Sequence, residues 1–250
     1  MTAANEARSE IILYCGGPGF GLPEQSPYSM KAEVQLQLMG LPYRKVPARP
    51  DQGPKGQIPF IDDNGREVGD TTFIRAWLEQ SYGVDLDEGL TAGERAQAWA
   101  IERMLENQLG WCGAWFRFMD DANFARGPAR WFDTAPAEAR EELRAQLQLN
   151  VAHTLRAVGV GRHTEAEIIA LGTKSLQALS VLLGHKAFLF GDRPTGTDAT
   201  AFAVCAAILT PFFDSPLRRK AEGFGNLVAY VDRGMAWFYP DFGWSLAEAA

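Results

Sequence analysis

Histidine and cysteine, the residues that most often hold metals or carry redox chemistry, are scarce, with three of each in 250 residues. Cys15, Cys112 and Cys205 lie far apart and form no C-x-x-C pair, so neither a disulfide framework nor a zinc knuckle is indicated, and a reducing cytoplasm is the expected setting. His153, His163 and His185 lack ligand spacing, so no metal site is expected from them. Basic residues are also in short supply, 24 against 31 acidic ones, for a formal charge of −7. That balance argues against nucleic acid as a partner, because phosphate neutralisation needs clustered Lys and Arg. The most basic run, "PLRRKAE", is short enough to be a solvated helix face or turn. No stretch reaches the roughly 18 uninterrupted apolar residues of a membrane span, and the polar start "MTAANEARSE" lacks the apolar run of an export signal. What is present, 46% hydrophobic and 22% charged residues, suits one large or two smaller soluble domains with an ample core.

The strand "EIILYCGG" runs into the Gly/Pro-rich loop "GGPGFGLPEQSP", whose glycines lack dinucleotide-binding spacing and lead to Pro23 instead of a helix. Ser26 is a candidate N-cap, Pro27 fits the first helical position, and helix formers continue to Gly40. "LPYRKVPA" is a second short strand, broken by Pro47 and Pro50. "QIPFIDDNGREVGD" gives two more around Asn64-Gly65, which tolerates the positive φ angles of a type I′ hairpin turn. A helix follows from about Thr71 to Tyr82, then the linker "GVDLDEGLTAGE". Beyond Thr91 the pattern is helical throughout. Ile101, Met104, Leu105, Cys112, Trp115, Phe116 and Met119 form one stripe, with Gln108 on the same face as a candidate polar opening. Further helices are expected over 136–158, in "EAEIIALGTKSLQALSVLLG", in the wholly apolar "DATAFAVCAAIL", and in "NLVAYVDRGMAWF" with Asn226 as its cap. The element order predicts an α/β thioredoxin-like N-terminal domain over residues 1–83 and an all-helical C-terminal domain over residues 91–250.

Pro59 stands inside the third strand, where a missing N–H is normally a defect. Either it is a trans proline at a strand start, or it is cis and turns the N–H and C=O of Ile58 sideways, where an extended peptide could pair with them. Asp70 and Thr71 open the next helix. Its free N–H groups suit a carboxylate, and Asp70 suits an ammonium; a capping role alone is the plainer alternative.

"LPYRKV", "PKGQIPFIDD", "GDTTFIRAWLE" and "FLFGDRPTGTDATAFAV" resemble the cytosolic glutathione transferase family, over nearly the whole chain from Ile11 to Pro240. "FFDSPLRRKAE" and "NLVAYVDRGMAWFYPD" resemble the branch holding failed-axon-connections and metaxin-like proteins. The resemblance implies an all-α glutathione transferase C-terminal domain, a homodimer, and glutathione as substrate. Gln57 would meet its glycine end, Ile58 and cis Pro59 its cysteinyl unit, and Asp70 and Thr71 its γ-glutamyl end. Thr195-Gly196-Thr197-Asp198 is similar to the family's capping signature and has the spacing of a capping box, with Asp in place of Glu. Glutathione's thiol must lose its proton to attack a small electrophile. Ser26, at a helix start, matches the serine-type donor position; Tyr14 matches the tyrosine-type one. The long loop from Cys15 to Gln25 could reposition Ser26 or lie over the site as a lid. Phe20, Tyr28, Trp111 and Trp115 are candidate walls of an acceptor pocket. Two rival readings are a non-catalytic adaptor on the same fold and a thiol oxidoreductase using Cys15.

Overall fold

The computed structural model describes residues 10–245. The predicted N-terminal "MTAANEARSE" segment, save Glu10, lies outside the described residues. Strands β1 (Ile11–Cys15), β2 (Tyr43–Pro47), β3 (Phe60–Asp63) and β4 (Arg66–Gly69) form one sheet in the order β2-β1-β3-β4. β1 runs parallel to β2 through helix α1 (Pro27–Leu38) and antiparallel to β3, which pairs antiparallel with β4. Pro47 is tolerated because β2 is an edge strand. The β3–β4 turn places Asn64 at φ 57° and Gly65 at φ 85°, as a type I′ turn requires.

Alternation divides β1. Ile11, Leu13 and Cys15 are buried against α1 and α2 (Thr71–Tyr82), joining Ala32, Leu36, Ile61, Ile74 and Leu78 in the core of the first domain. The helical domain comprises α3 (Ala92–Met104), a π-helical segment (Leu105–Leu109), α4 (Gly110–Met119), α5 (Asp121–Arg126), α6 (Ala137–Ala157), α7 (Glu165–Leu183), α8 (Gly196–Leu209), α9 (Pro216–Glu222) and α10 (Gly225–Phe238). Among the described residues α7 alone is long and apolar enough to cross a membrane; it sends Ile168, Leu176, Leu179 and Leu183 into the helical core and leaves Val181 exposed.

Helix α1 is buried along most of its length because it belongs to two cores. Ala32 and Leu36 face the sheet, while Met30 and Val34 join Leu105, Leu109 and Ala199. Its charged residues therefore need partners. Lys31 Nζ reaches Glu102 at 3.2 Å and Glu106 at 2.6 Å; Glu33 takes Lys45 at 3.1 Å and the hydroxyls of Tyr43 and Tyr239. Arg75 of α2 adds Asp87 at 2.7 Å and Glu102 at 3.3 Å. Those of Lys31, Arg75 and Tyr239 join the first domain to the helical one.

One cap differs from expectation. Asn226 lies inside α10 and does not start it; its amide donates to the Ser180 and Gly184 carbonyls, closing the C-terminus of α7. At α8 the Asp198 carboxylate does reach back to the Thr195 N–H at 2.8 Å. The Thr195 hydroxyl donates to that carboxylate, while the Asp198 N–H is covered by the Thr195 carbonyl. Asp198 also accepts from Leu189 N and Tyr230 Oη, and its burial raises its pKa despite these bonds.

Candidate glutathione and acceptor site

The Ile58–Pro59 peptide bond is cis. β3 begins at Phe60, and the N–H and C=O of Ile58 have no partner among the described residues. The loop before it is tight: a Cβ on Gly53 would stand 2.2 Å from the Gln57 carbonyl, so only glycine fits there. Gln57 itself is exposed and Ile58 partly so.

Asp70 caps α2 by accepting from Thr72 N at 2.9 Å through one oxygen, Oδ1. It does so at φ 77°, a conformation that costs a non-glycine residue and that clusters at ligand sites. Capping uses one oxygen and leaves the second for a ligand. The N–H and hydroxyl of Thr71, buried at the first position of α2, have no protein partner among the described residues, and both point to a helix end that favours a carboxylate. The two readings of this dipeptide, cap and ligand contact, are thus compatible.

Ser26 is the N-cap of α1, with Pro27 behind it. The Ser29 N–H approaches its Oγ at 3.5 Å, a loose contact that leaves the hydroxyl proton available to an incoming anion. Tyr14 lies beside the strand that follows cis Pro59. It alternates to the opposite face of β1 from the α1 core and stacks flat on Phe60, with ring centroids 4.3 Å apart. Cys15 is also excluded as a nucleophile: it is buried, donates to Glu24 at 3.2 Å, and burial followed by the Glu24 charge pushes its pKa up to about 12.

The Cys15–Gln25 loop is pinned on both sides instead of hinged as a lid. Glu24, fully buried, accepts from Gly17 N and Lys45. The Phe20 carbonyl accepts from Thr210 Oγ1 at 2.6 Å, and Gln25 Oε1 accepts from Trp131 Nε1 at 2.7 Å. The Phe20 ring, 8% exposed, sits among Trp131, Phe212 and Phe213 with centroids 5.0 to 5.9 Å away. Arg117 Nη1 donates to the Gln25 carbonyl at 2.9 Å, placing a guanidinium on the peptide that carries Ser26.

The other predicted pocket walls divide. Tyr28 turns its hydroxyl toward Gly110 at the end of the π-helical segment. Burial and then the Glu106 charge raise its pKa to about 12, with Arg103 and Asp70 the other charges acting on it. The phenol therefore stays protonated and able to donate a hydrogen bond. Trp111 and Trp115 pack against the helical core, Trp115 edge-on to Phe116. Gln108 approaches Cys112 Sγ at 3.6 Å, and the polar residues at mid-helix are Glu102 and Glu106. A cavity of about 520 Å³ beside α10, lined by Asp232, Met235, Tyr239, Phe242 and Trp244, holds none of these site residues. An extended peptide pairs with an open backbone edge, which the Ile58 groups offer and that cavity does not. Sequence reasoning missed Arg117, Trp131, Phe212, Phe213 and the π-helical segment. A π turn inside an α-helix often marks a functional site, and this one lies opposite Tyr28 and Lys31.

Known proteins resemble this chain in sequence and in fold. The glutathione S-transferase N-terminal domain family matches residues 27–123, and the glutathione S-transferase C-terminal domain family matches 172–234. The chain is 33% identical to Failed axon connections of Drosophila melanogaster over 88% of its own length, and it spans 56% of that longer protein. It is 30% identical to the isoprene-epoxide glutathione S-transferase of a Rhodococcus species over 89% of this chain and 97% of that one. Identity to Metaxin-2 of Mus musculus is 27%, over 86% of this chain and 83% of that one. Among solved structures, the β-etherase LigF of Sphingobium superposes with a TM-score of 0.64 at 20% identity, covering 91% of this chain and 96% of that chain. A Ceriporiopsis subvermispora glutathione S-transferase in complex with glutathione gives 0.59 at 16%, covering 95% and 99%. The chain belongs to the glutathione S-transferase family, in a group of relatives that includes Failed axon connections and the metaxins.

Proposed function

We propose that this protein is a cytoplasmic, homodimeric glutathione transferase that joins the glutathione thiolate to a small electrophile. The observation that carries the reading is the set of unused polar groups along one edge: Ile58 N–H and C=O, Thr71 N–H and hydroxyl, and the second oxygen of Asp70. Glutathione lies extended along it, with Gln57 at its glycine end, Ile58 and Pro59 beside the cysteinyl unit, and Asp70, Thr71 and Tyr28 around the γ-glutamyl end. Its sulfur meets the Ser26 hydroxyl at the positive end of α1. The thiol proton leaves to water, the thiolate forms a carbon–sulfur bond, and the electrophile's leaving group departs or, with an epoxide, its ring oxygen takes a proton. The Rhodococcus relative, named for isoprene epoxide and glutathione, supports such chemistry. Exposed Phe73 on α2 and Trp99 on α3 are apolar surfaces that a second copy would cover.

Asp70→Asn separates ligand binding from capping, because asparagine keeps the acceptor for Thr72 N and loses the charge. We expect retention on immobilised glutathione to fall and the dissociation constant for free glutathione to rise about tenfold, the scale of one charge-assisted hydrogen bond, with the melting temperature nearly unchanged. Thr71→Ala should weaken binding likewise. The similarity to Failed axon connections and the metaxins favours a second reading, a non-catalytic adaptor on this fold. It predicts no retention of the wild-type protein under reducing conditions.

A further inference from the structure

Beside the peptide that carries Ser26 lies a cation that has no counter-ion among the described residues. Arg117 projects from α4 into the aromatic cluster, with the guanidinium 5.4 Å from the Phe20 centroid and 5.1 Å from that of Phe213. No carboxylate pairs with it among the described residues, and burial alone acts on its pKa, pulling it down to about 10. Its one protein hydrogen bond goes from Nη1 to the Gln25 carbonyl. Its remaining nitrogens have no protein partner among the described residues and are not wholly sealed. Arg126, 4.8 Å from the Phe212 centroid, adds a second guanidinium without a carboxylate partner among the described residues.

Holding the loop does not explain a charge here. Thr210 and Trp131 already tie Phe20 and Gln25 to the helical domain, and a neutral side chain could pack between two rings without the cost of desolvating a cation. Gly110, two turns before Arg117 on α4, lets that helix approach the Tyr28 hydroxyl at the start of α1. From this geometry we infer that Arg117 is the anion-binding residue of the acceptor subsite, and that the electrophile taken by this enzyme is an apolar or aromatic compound bearing a carboxylate. The aromatic cluster covers the ring or chain, the guanidinium grips the carboxylate, and the reactive carbon is left toward Ser26. The inference builds on the transferase reading but is tested apart from it.

Two chlorodinitrobenzenes serve as probes, identical except for a carboxylate para to the chlorine in one of them. In both, the glutathione thiolate forms a carbon–sulfur bond at the chlorine-bearing carbon, chloride leaves with the bonding pair, and the thiol proton goes to water. The corresponding dinitrobenzoate and dinitrobenzene, which cannot react, report binding by calorimetry without glutathione. In the wild type the carboxylate probe should bind tenfold to a hundredfold more tightly, as expected for a hydrogen-bonded charge pair, and its kcat/KM should be higher by a similar ratio. Arg117→Gln, which keeps a donor for the Gln25 carbonyl, should bring both ratios close to one, and Arg117→Lys should retain part of the preference. Equal binding of the two probes to the wild type, or a preference that survives Arg117→Gln, overturns the assignment. A glutathione titration in the same calorimeter judges the transferase reading separately: carboxylate preference without glutathione binding keeps the anion site and removes the transferase, and the reverse result removes the anion site alone.

Discussion

Lys31→Met is expected to destabilise the protein by about 3–5 kcal/mol, the range found when one partner of a buried ion pair is removed. The lysine side chain lies between two carboxylates, Glu102 and Glu106, and the residue is 1% exposed. Without it, Arg103 still serves Glu106 at 2.7 Å and Arg75 still serves Glu102 at 3.3 Å, but each acid loses its inward-facing cation. In a chain of this length each kcal/mol lowers the melting midpoint by roughly 2–4 °C, so a fall of about 10 °C is expected in thermal unfolding. A loss below about 1 kcal/mol, typical of exposed pairs, would mean that this cluster does not hold the domains together. Because α1 joins the two cores, the same variant should bind glutathione more weakly.

Ser26→Ala should reduce kcat/KM by about a hundredfold to a thousandfold, the scale on which removing one preorganised donor to a developing anion acts. Glutathione binding should change little, since the proposed pose holds the tripeptide mainly along Ile58, Asp70 and Thr71. The lost N-cap costs stability as well, about 1 kcal/mol, so activity is to be measured well below the melting midpoint. The pH profile separates the two effects. With the hydroxyl gone, the bound thiol's pKa rises, and the acid limb of kcat must move to higher pH; a folding defect alone lowers the plateau and leaves the limb in place. A loss under threefold with an unmoved limb would place thiolate stabilisation elsewhere.

The parts of the fold that could be read in the sequence are those governed by neighbouring residues. Ser26-Pro27 starts α1, Asn64-Gly65 makes the hairpin, Gly83 at φ 67° ends α2, and Asp198 reaches back to Thr195, each a short-range backbone device. The family resemblance pointed to the cis bond at Pro59, and the backbone has it. Contacts across many residues were not legible. Arg117 meets Gln25 from 92 positions away, and Trp131 does so from 106, so no local pattern marks either one. Asn226 has the composition of an N-cap, yet the end of α7 offers its amide two carbonyls, and tertiary contact decides. The apolar stripe through Leu105 and Cys112 gave a continuous helix but not the π turn within it, which brings Leu109, off that stripe, into the core. Ser26 and its rival Tyr14 lie differently: Ser26 caps α1, while strand alternation puts Tyr14 on the face of β1 away from Leu13, Cys15 and the α1 core, against Phe60.

The most direct test of the account is an ultraviolet titration of the glutathione thiolate in a stoichiometric complex with the wild-type protein. The predicted result is a bound thiol whose apparent pKa lies at least one unit below that of free glutathione, equivalent to about 1.4 kcal/mol of preference for the anion. An unchanged thiol pKa, or no saturable binding of glutathione, would contradict it.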